Sequence, residues 1–460
     1  MKFIADACDA EIQNGPADAV ISNVCTDSRQ AKSGDLFLAL RGERFDAHDF
    51  VAEVAAKGVT AMVVERAKVR SPKFKVPAGV TLLLVDDVRV AFGEIAAAHR
   101  KQFDLPVVAV GGSNGKTTVK ELLASVLRQK YSTLWSEASY NNDIGVPATL
   151  LRLGKSHQVA VLEAGTNHPG ELAPLVKMIA PALGVITSIG GEHLEYFGDV
   201  AGVAQEEGWL AQLLPSGGKL FLNGDDRWSE KIAARTRPTV VRVGFGEHND
   251  WRAAKVRLDK NGVTFQVVAP KEEFGGEYRV NLLGRHQAVN ALLAVAVSVE
   301  LGLSRVEIRQ GLAECQPPKM RLNYWEAGGV RVLDDCYNAN ADSTIAALET
   351  LCGLPLQGRR VAVLGDMIEL GAHSAAAHAE VGRRVAELGI GQLVAIGKMA
   401  SVTAQAARAA GLMRVFEFAE IEAAARSIKK YLKPGDVVLL KASRAARLER
   451  IGEILRMGKA

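Results

Sequence analysis

Cysteine is scarce. Five occur in 460 residues, Cys8, Cys25, Cys315, Cys336 and Cys352, an odd and scattered set without CxxC spacing. Such a set argues against a disulfide framework and against a zinc ribbon, and it fits a reducing, cytoplasmic setting. Long apolar runs are missing too: no stretch reaches the roughly 18 uninterrupted residues of a membrane span. The start, MKFIADACDA, carries Asp6 and Asp9 where a secretory leader would be apolar. A soluble, unprocessed chain with no integral membrane segment is expected. No one sign of charge dominates, since Lys+Arg 56 against Asp+Glu 52 leaves a formal +4. That excess does not call for nucleic acid, although it permits anionic small molecules. No repeat of solenoid period is visible. What remains is an ordinary globular composition, 48% hydrophobic and 23% charged. At about 150 residues per domain, the length predicts about three domains.

The first eighty-odd residues mix short β-like runs, TAMVVE and TLLLV, with polar turns such as CTDSRQAKSGD. They predict a small α/β domain over 1–87. From residue 88 the pattern becomes helix (FGEIAAAHRKQF), strand (VVAV), glycine loop (GGSNGKTT) and helix (VKELLASVLRQK), followed by the buried-strand runs QVAVLEA and GVITSI. A nucleotide-binding α/β domain is expected over 88–316. Pro317-Pro318 reads as a linker, because proline cannot continue a helix and biases its predecessor to extended forms. Beyond it, VAVLGD, LVAIG and VVLLKAS alternate with helical segments and predict a doubly wound sheet over 317–460.

The loop between VVAV and VKELL has a phosphate-binding logic. Backbone N–H groups of Gly112, Ser113, Asn114 and Gly115 and the helix start at Lys116, Thr117 and Thr118 supply donors. Lys116 supplies a point charge and Thr117 a hydroxyl for magnesium. The Walker pattern is missed by one position: Val110 stands where its first glycine would be. Glu163 ends the strand QVAVLEA and His193 follows GVITSI, so both belong at the carboxyl edge of the expected sheet. Glu163 could hold Mg²⁺ and His193 a second metal. A solvated strand-end acid and a structural histidine are the plain alternatives.

The strings GSNGKTT, YNNDIGVPATLL, VLEAGTNHPGEL, TSIGGEHLEYFG and GRHQAVNALLA, in that order, resemble the central domain of the ATP-dependent Mur ligases. CTDSRQAKSGDLFLALRGERFDAHDF is similar to the family's uridine-nucleotide segment, and LDDCYNANADS and VLGDMIELGAHS are similar to its third domain. The arginine-bearing diaminopimelate signature of the tripeptide-synthesising relatives is not found. The resemblance implies an α/β protein of three domains: a small amino-terminal domain, a central P-loop parallel-sheet ATPase domain and a carboxy-terminal Rossmann-like domain. It implies ATP and two Mg²⁺ ions as cofactors, with UDP-N-acetylmuramoyl-tripeptide and D-alanyl-D-alanine as substrates, in a monomer. The tripeptide carboxylate would be phosphorylated to an acyl phosphate, which the dipeptide amine attacks. Lys116, Glu163, His193 and Glu207 would be catalytic, and Thr117, Glu163, His193 and Glu207 would hold metal. His286 and Asn290 would lie by the nucleotide, unless they merely pack a helix. Arg321, Asp335, Tyr337, Asn338 and Asn340 would close over ATP. Ser28, Arg29, Asn141, Asn142, Lys441, Ser443 and Arg444 would face substrate.

The chain departs from the family at three places. No lysine occurs between Lys177 and Lys219, so the side-chain carbamate that usually ligates the second metal cannot form, and Glu207 stands at its position. Its carboxylate is expected to substitute as a hard oxygen ligand, without bicarbonate dependence. Glu206, a water, or a merely solvated Glu207 are the alternatives. Met320 replaces a glycine before Arg321, and Ala341 replaces a proline. Competing functions are another amide ligase of the superfamily, of muramyl-tripeptide, folylpolyglutamate or cyanophycin type, and a P-loop regulator that hydrolyses ATP without forming a bond.

Overall fold

The computed structural model describes residues 1–457 except 17, 19, 43, 72, 73, 76–78 and 356, so Glu43 of the amino-terminal segment and the last three residues of the third expected domain lie outside the described residues. Three sheets appear in chain order. The first runs Glu11–Gln13, Thr81–Val85, Ala61–Glu65, Asp35–Leu38, Asn23–Cys25, parallel except for its first pair. Every residue of Asp35–Leu38 and Thr81–Val85 is buried, which is why TLLLV reads as an apolar run.

The central sheet has nine strands. Val107–Gly111 lies between Val159–Glu163 and Leu183–Ile186, all parallel, so the chain leaves this strand to one side and later returns to the other. Ligand crevices form at such a switch point, outside the carboxyl ends of the strands. Alternate residues take opposite faces. Val108 and Val110 pack with the helices Lys116–Leu127, Gln287–Glu300 and Arg305–Glu314, whereas Val107 and Ala109 pack with Leu172–Ile179 and Val200–Gln212. The far edge is finished by Trp251–Asp259, Gly262–Val268 and Gly276–Val280, which pair antiparallel with one another.

The third sheet is ordered Asn323–Ala327, Val330–Asp335, Val437–Lys441, Arg360–Leu364, Gln392–Ile396, Val415–Phe418, with only the first pair antiparallel. One apolar cluster runs from the central domain into this one, joining Leu283, Leu322, Leu333, Ala339 and Leu348. The three-part α/β architecture expected from the sequence is thus present.

Two connections position the site. Helix Val88–Arg100, capped by the Asp87 carboxylate on the N–H groups of Arg89 and Val90, packs Val88, Ala91, Phe92 and Ile95 into the first core and Ala96 into the central one. After Pro317-Pro318, Met320 (φ +56°) and Leu322 (φ +51°) both take left-handed backbone, and the Leu322 N–H donates to Asp335 Oδ1 at 3.1 Å. These turns hold Arg321 between them with its guanidinium 4.3 Å from the Tyr337 ring centroid.

Candidate active site

The phosphate loop joins Val107–Gly111 to Lys116–Leu127 with Gly112 at φ +108° and Gly115 at φ +96°. A Cβ on Gly112 would sit 2.8 Å from the Thr187 nitrogen, and one on Gly115 would sit 2.8 Å from Asn290 Oδ1. Glycine is required at both by conformation and by space. Lys116 Nζ donates to the carbonyls of Gly112 (2.5 Å) and Ser113 (3.3 Å) and pairs with Glu192 Oε2 at 3.4 Å. Burial works against this ammonium, yet Glu192, Glu207 and Glu163 around it outweigh burial and raise its pKa. Burial also pushes the Glu207 carboxyl up to about 7 and raises Glu192, in both cases against the pull of Lys116.

Glu163, at the end of its strand, is 1% exposed. Its Oε1 accepts from Asn141 Nδ2 (2.9 Å) and Thr117 Oγ1 (3.2 Å), while Oε2 is buried without a hydrogen-bond partner. An ionisable oxygen left unpaired in a buried site, beside a hydroxyl, suits a hard cation. Glu207 sits on Val200–Gln212 beneath the loop: its Oε2 accepts the Gly112 N–H at 2.6 Å, and Oε1 is buried and unpaired. Glu206 is committed elsewhere, accepting the N–H groups of Gly170 and Leu172. Among the described residues, no three His, Cys, Asp or Glu side chains converge closely enough to hold a metal by themselves.

His193 (φ +49°) opens the turn after Leu183–Ile186, and its Nδ1 lies 2.5 Å from Glu369 Oε2 of the third domain. This hydrogen bond holds Glu369 below the usual carboxylate range. Other third-domain groups reach the same edge. Asn340 caps helix Ala341–Gly353 with its Oδ1 and donates from Nδ2 to Asn114 Oδ1 at 3.1 Å, while Asp342 Oδ2 accepts the Gly191 N–H at 3.1 Å. Buried Lys441 pairs with Asp335 at 2.5 Å and donates to the Asn338 carbonyl. His286 stands at the N-cap of helix Gln287–Glu300 and Asn290 one turn inside it. Burial pushes His286 down to about 4, leaving it neutral.

A cavity of about 540 Å³ gathers most of the expected residues: 113–118 of the loop, Asn141, Glu163, His193, His286, Asn290, Arg321, Asp335, Tyr337, Asn338, Asn340 and Lys441. Other expected residues lie off its wall. Gly112 lies in the loop but off the wall, and Glu207 lies beneath it. Asn142 Oδ1 accepts the Ile144 and Gly145 N–H groups where helix Gly145–Leu150 begins, and Ser443 ties the Ile368 N–H to the Ala339 carbonyl. Arg444 pairs with Glu449, Arg29 with Asp27, and the Ser28 carbonyl accepts from Lys57. The cavity also holds groups that the sequence reading passed over, including Glu192, Asp225, Phe245, Gln287 and Asp342. Glu192 adjoins His193 and was open to the same strand-end argument. Asp342 and Glu369 reach the site only through domain packing, for which no local signal exists.

Three family profiles match the chain in order: "Mur ligase family, catalytic domain" over 20–100, "Mur ligase middle domain" over 110–298 and "Mur ligase, glutamate ligase domain" over 320–444. The UDP-N-acetylmuramoyl-tripeptide–D-alanyl-D-alanine ligase of Escherichia coli K12 is 37% identical over 458 residues, covering 97% of this chain and 96% of that protein. The chain belongs to the Mur ligase family. As a Mur ligase it is an ATP-dependent enzyme that forms amide bonds. Its fold is similar to that of MurF from Acinetobacter baumannii, with TM-score 0.90, 34% identity, and 99% and 98% of the two chains covered. It is also similar to the MurF ligase of Thermotoga maritima in complex with ADP, with TM-score 0.82, 26% identity, and 96% and 98% covered. No helix among the described residues of this Mur ligase is long and apolar enough to cross a membrane.

Proposed function

We propose that this Mur ligase joins D-alanyl-D-alanine to UDP-N-acetylmuramoyl-tripeptide, giving UDP-N-acetylmuramoyl-pentapeptide, ADP and phosphate for peptidoglycan synthesis. The observation that carries the reading is the single cavity on which the phosphate loop, Glu163, His193 and the third-domain groups Arg321, Asp335 and Lys441 converge. Identity of 37% and 31% over nearly the full length to two ligases of that name supports the choice of substrates.

A carboxylate is a poor electrophile, and phosphorylation gives it a leaving group. In-line transfer of the γ-phosphoryl needs positioning and charge neutralisation more than covalent help. Lys116 and the N–H groups of Gly115 and the helix start hold the β and γ phosphates, since the N–H groups of Gly112, Ser113 and Asn114, expected to serve there too, donate instead to Glu207, the Ser188 carbonyl and the Ser188 hydroxyl. His286 and Asn290 lie beside the nucleotide. Arg321, Tyr337, Asn338, Asn340 and the Asp335–Lys441 pair close the site around the acyl phosphate until the dipeptide amine attacks. Thr117 and Glu163 would hold one Mg²⁺ and His193 and Glu207 a second, the ions supplying the neutralisation that lets two anions approach. Glu207 takes the place of the family's carbamate, supported by its unpaired buried oxygen. Asn141 and Asn142, with Ser443 and Arg444, serve the substrate side, and Ser28 and Arg29 serve its uridine diphosphate. The working division by sequence is 1–87, 88–316 and 317–460, with helix Val88–Arg100 packed into both the first and the central core. Five free thiols support a cytoplasmic location.

The test is phosphate release from ATP by the purified protein with UDP-muramyl-tripeptide, with and without D-alanyl-D-alanine, while mass spectrometry follows the pentapeptide. Release that needs both substrates and equals pentapeptide formed is expected. Release without either, and no pentapeptide, would overturn the reading.

A further inference from the structure

The sequence motif that the reaction leaves unused is VLGDMIELGAHS, and the structure shows where it goes. Its segment 369–373 is seated on the 193–198 turn of the central domain at several points. Glu369 Oε2 meets His193 Nδ1 at 2.5 Å, the Glu369 carbonyl accepts the Glu195 N–H at 3.0 Å, and His373 Nε2 lies 2.7 Å from the Gly198 carbonyl. A Cβ on Gly371 would fall 3.0 Å from the Glu195 Cα, so the two backbones are in contact there as well. Glu369 is therefore delivered by its backbone and is not a loose surface side chain swinging in. Both partners, His193 at φ +49° and Glu369 at φ +64°, hold left-handed backbone that non-glycine residues seldom adopt.

We propose that Glu369 is a positioning residue that fixes the tautomer of His193, so that docking of the third domain makes the histidine competent as a metal ligand. An ionised carboxylate only accepts, so the nitrogen facing it carries the proton. With Nδ1–H committed to Glu369, the neutral ring has its lone pair on Nε2, and a neutral imidazole nitrogen is what a metal takes. When the third domain is undocked, the carboxylate leaves and the ring is free to hold its proton on either nitrogen. The ligand set is then complete only in the docked enzyme, which ties phosphoryl transfer to the assembled site. The proposal rests on the reading of His193 as a metal ligand.

The experiment uses the full chain labelled with ¹⁵N-histidine, metal-free and at neutral pH. Long-range ¹H–¹⁵N spectra report the tautomer, and the His193→Gln variant identifies the His193 signals. The wild type is expected to show the Nδ1–H form, and Glu369→Ala to shift towards Nε2–H. Glu369→Gln, whose amide oxygen still accepts, is expected to keep Nδ1–H. In parallel, Mn²⁺ binding in the presence of ADP, read by electron paramagnetic resonance, is expected to weaken about tenfold or more in Glu369→Ala and in His193→Gln, and little in Glu369→Gln. Wild-type His193 in the Nε2–H form, or a Glu369→Ala spectrum identical to wild type, would overturn the proposal. Weaker Mn²⁺ binding in His193→Gln with none in Glu369→Ala would overturn Glu369 alone. Unchanged binding in both would overturn the metal reading beneath it.

Discussion

Glu207 is fully buried, with one oxygen on the Gly112 N–H and the other unpaired. Its folded pKa, about 7, lies above the usual 4.5 because burial disfavours the ionised form. Below pH about 4.5 the group is protonated in both folded and unfolded chains. Between about 4.5 and 7 only the unfolded chain gives up its proton, so stability falls as pH rises, and above 7 the full penalty stands. Metal-free Glu207→Gln should flatten that slope and stabilise the protein at pH 8 by an amount on the order of 1–3 kcal/mol, read from urea midpoints across pH. The same variant should lose turnover and require a higher magnesium concentration for what remains. Equal slopes in both proteins, or unchanged turnover, would count against the two roles. At this scale much was legible. Lys116, Thr117, Glu163 and His193 stand where strand ends and a glycine loop put them, and the missing lysine pointed to Glu207. Glu192 was legible by the strand-end argument that found its neighbour His193, but its partner was not, because Lys116 lies 76 residues away in the chain.

Among the elements, helix Ala341–Gly353 offers a direct test of the family departure at its first residue. Asn340 is extended (φ −133°, ψ 174°), its Oδ1 accepts the Ser343 N–H, and the Ser343 hydroxyl accepts the Asn340 N–H, a reciprocal cap. Proline at a first helical position lacks only an N–H that the helix leaves unpaired, and an extended predecessor is what proline demands. Ala341→Pro should therefore stabilise the protein by about 0.4–1 kcal/mol by restricting the unfolded chain, measured as a rise in thermal midpoint. A fall would mean that the substitution disturbs the cap. The parallel strands were legible because they are buried on both faces. The antiparallel edge, Trp251–Asp259 to Gly276–Val280, was not: residues such as Lys255, Arg257, Glu277 and Arg279 interrupt its buried positions and mimic loop.

For the whole molecule, the central and third domains share an apolar cluster, and at the catalytic edge polar contacts join them as well: Asn340 to Asn114, Asp342 to Gly191, Glu369 to His193 and Glu195, and His373 to Gly198. Asp342→Ala removes a charged acceptor from a backbone N–H, worth up to about a tenfold effect. It should raise the KM for ATP severalfold and enlarge the radius of gyration in small-angle scattering. Unchanged values for both would show that this contact does not hold the domains together. No sequence pattern announces such pairings, because each joins residues far apart in the chain whose meeting depends on how finished domains dock.

Helix Val88–Arg100 carries a consequence for anyone who wishes to take the protein apart. Four of its apolar residues complete the first core and Ala96 enters the second. A fragment ending at residue 87 would leave Ile4, Leu38 and Leu83 without their cover, and one beginning at 88 would present Phe92 and Ile95 to water. Expressed pieces divided at that position would aggregate, whereas a fragment that keeps the helix through Arg100 would retain the first core intact.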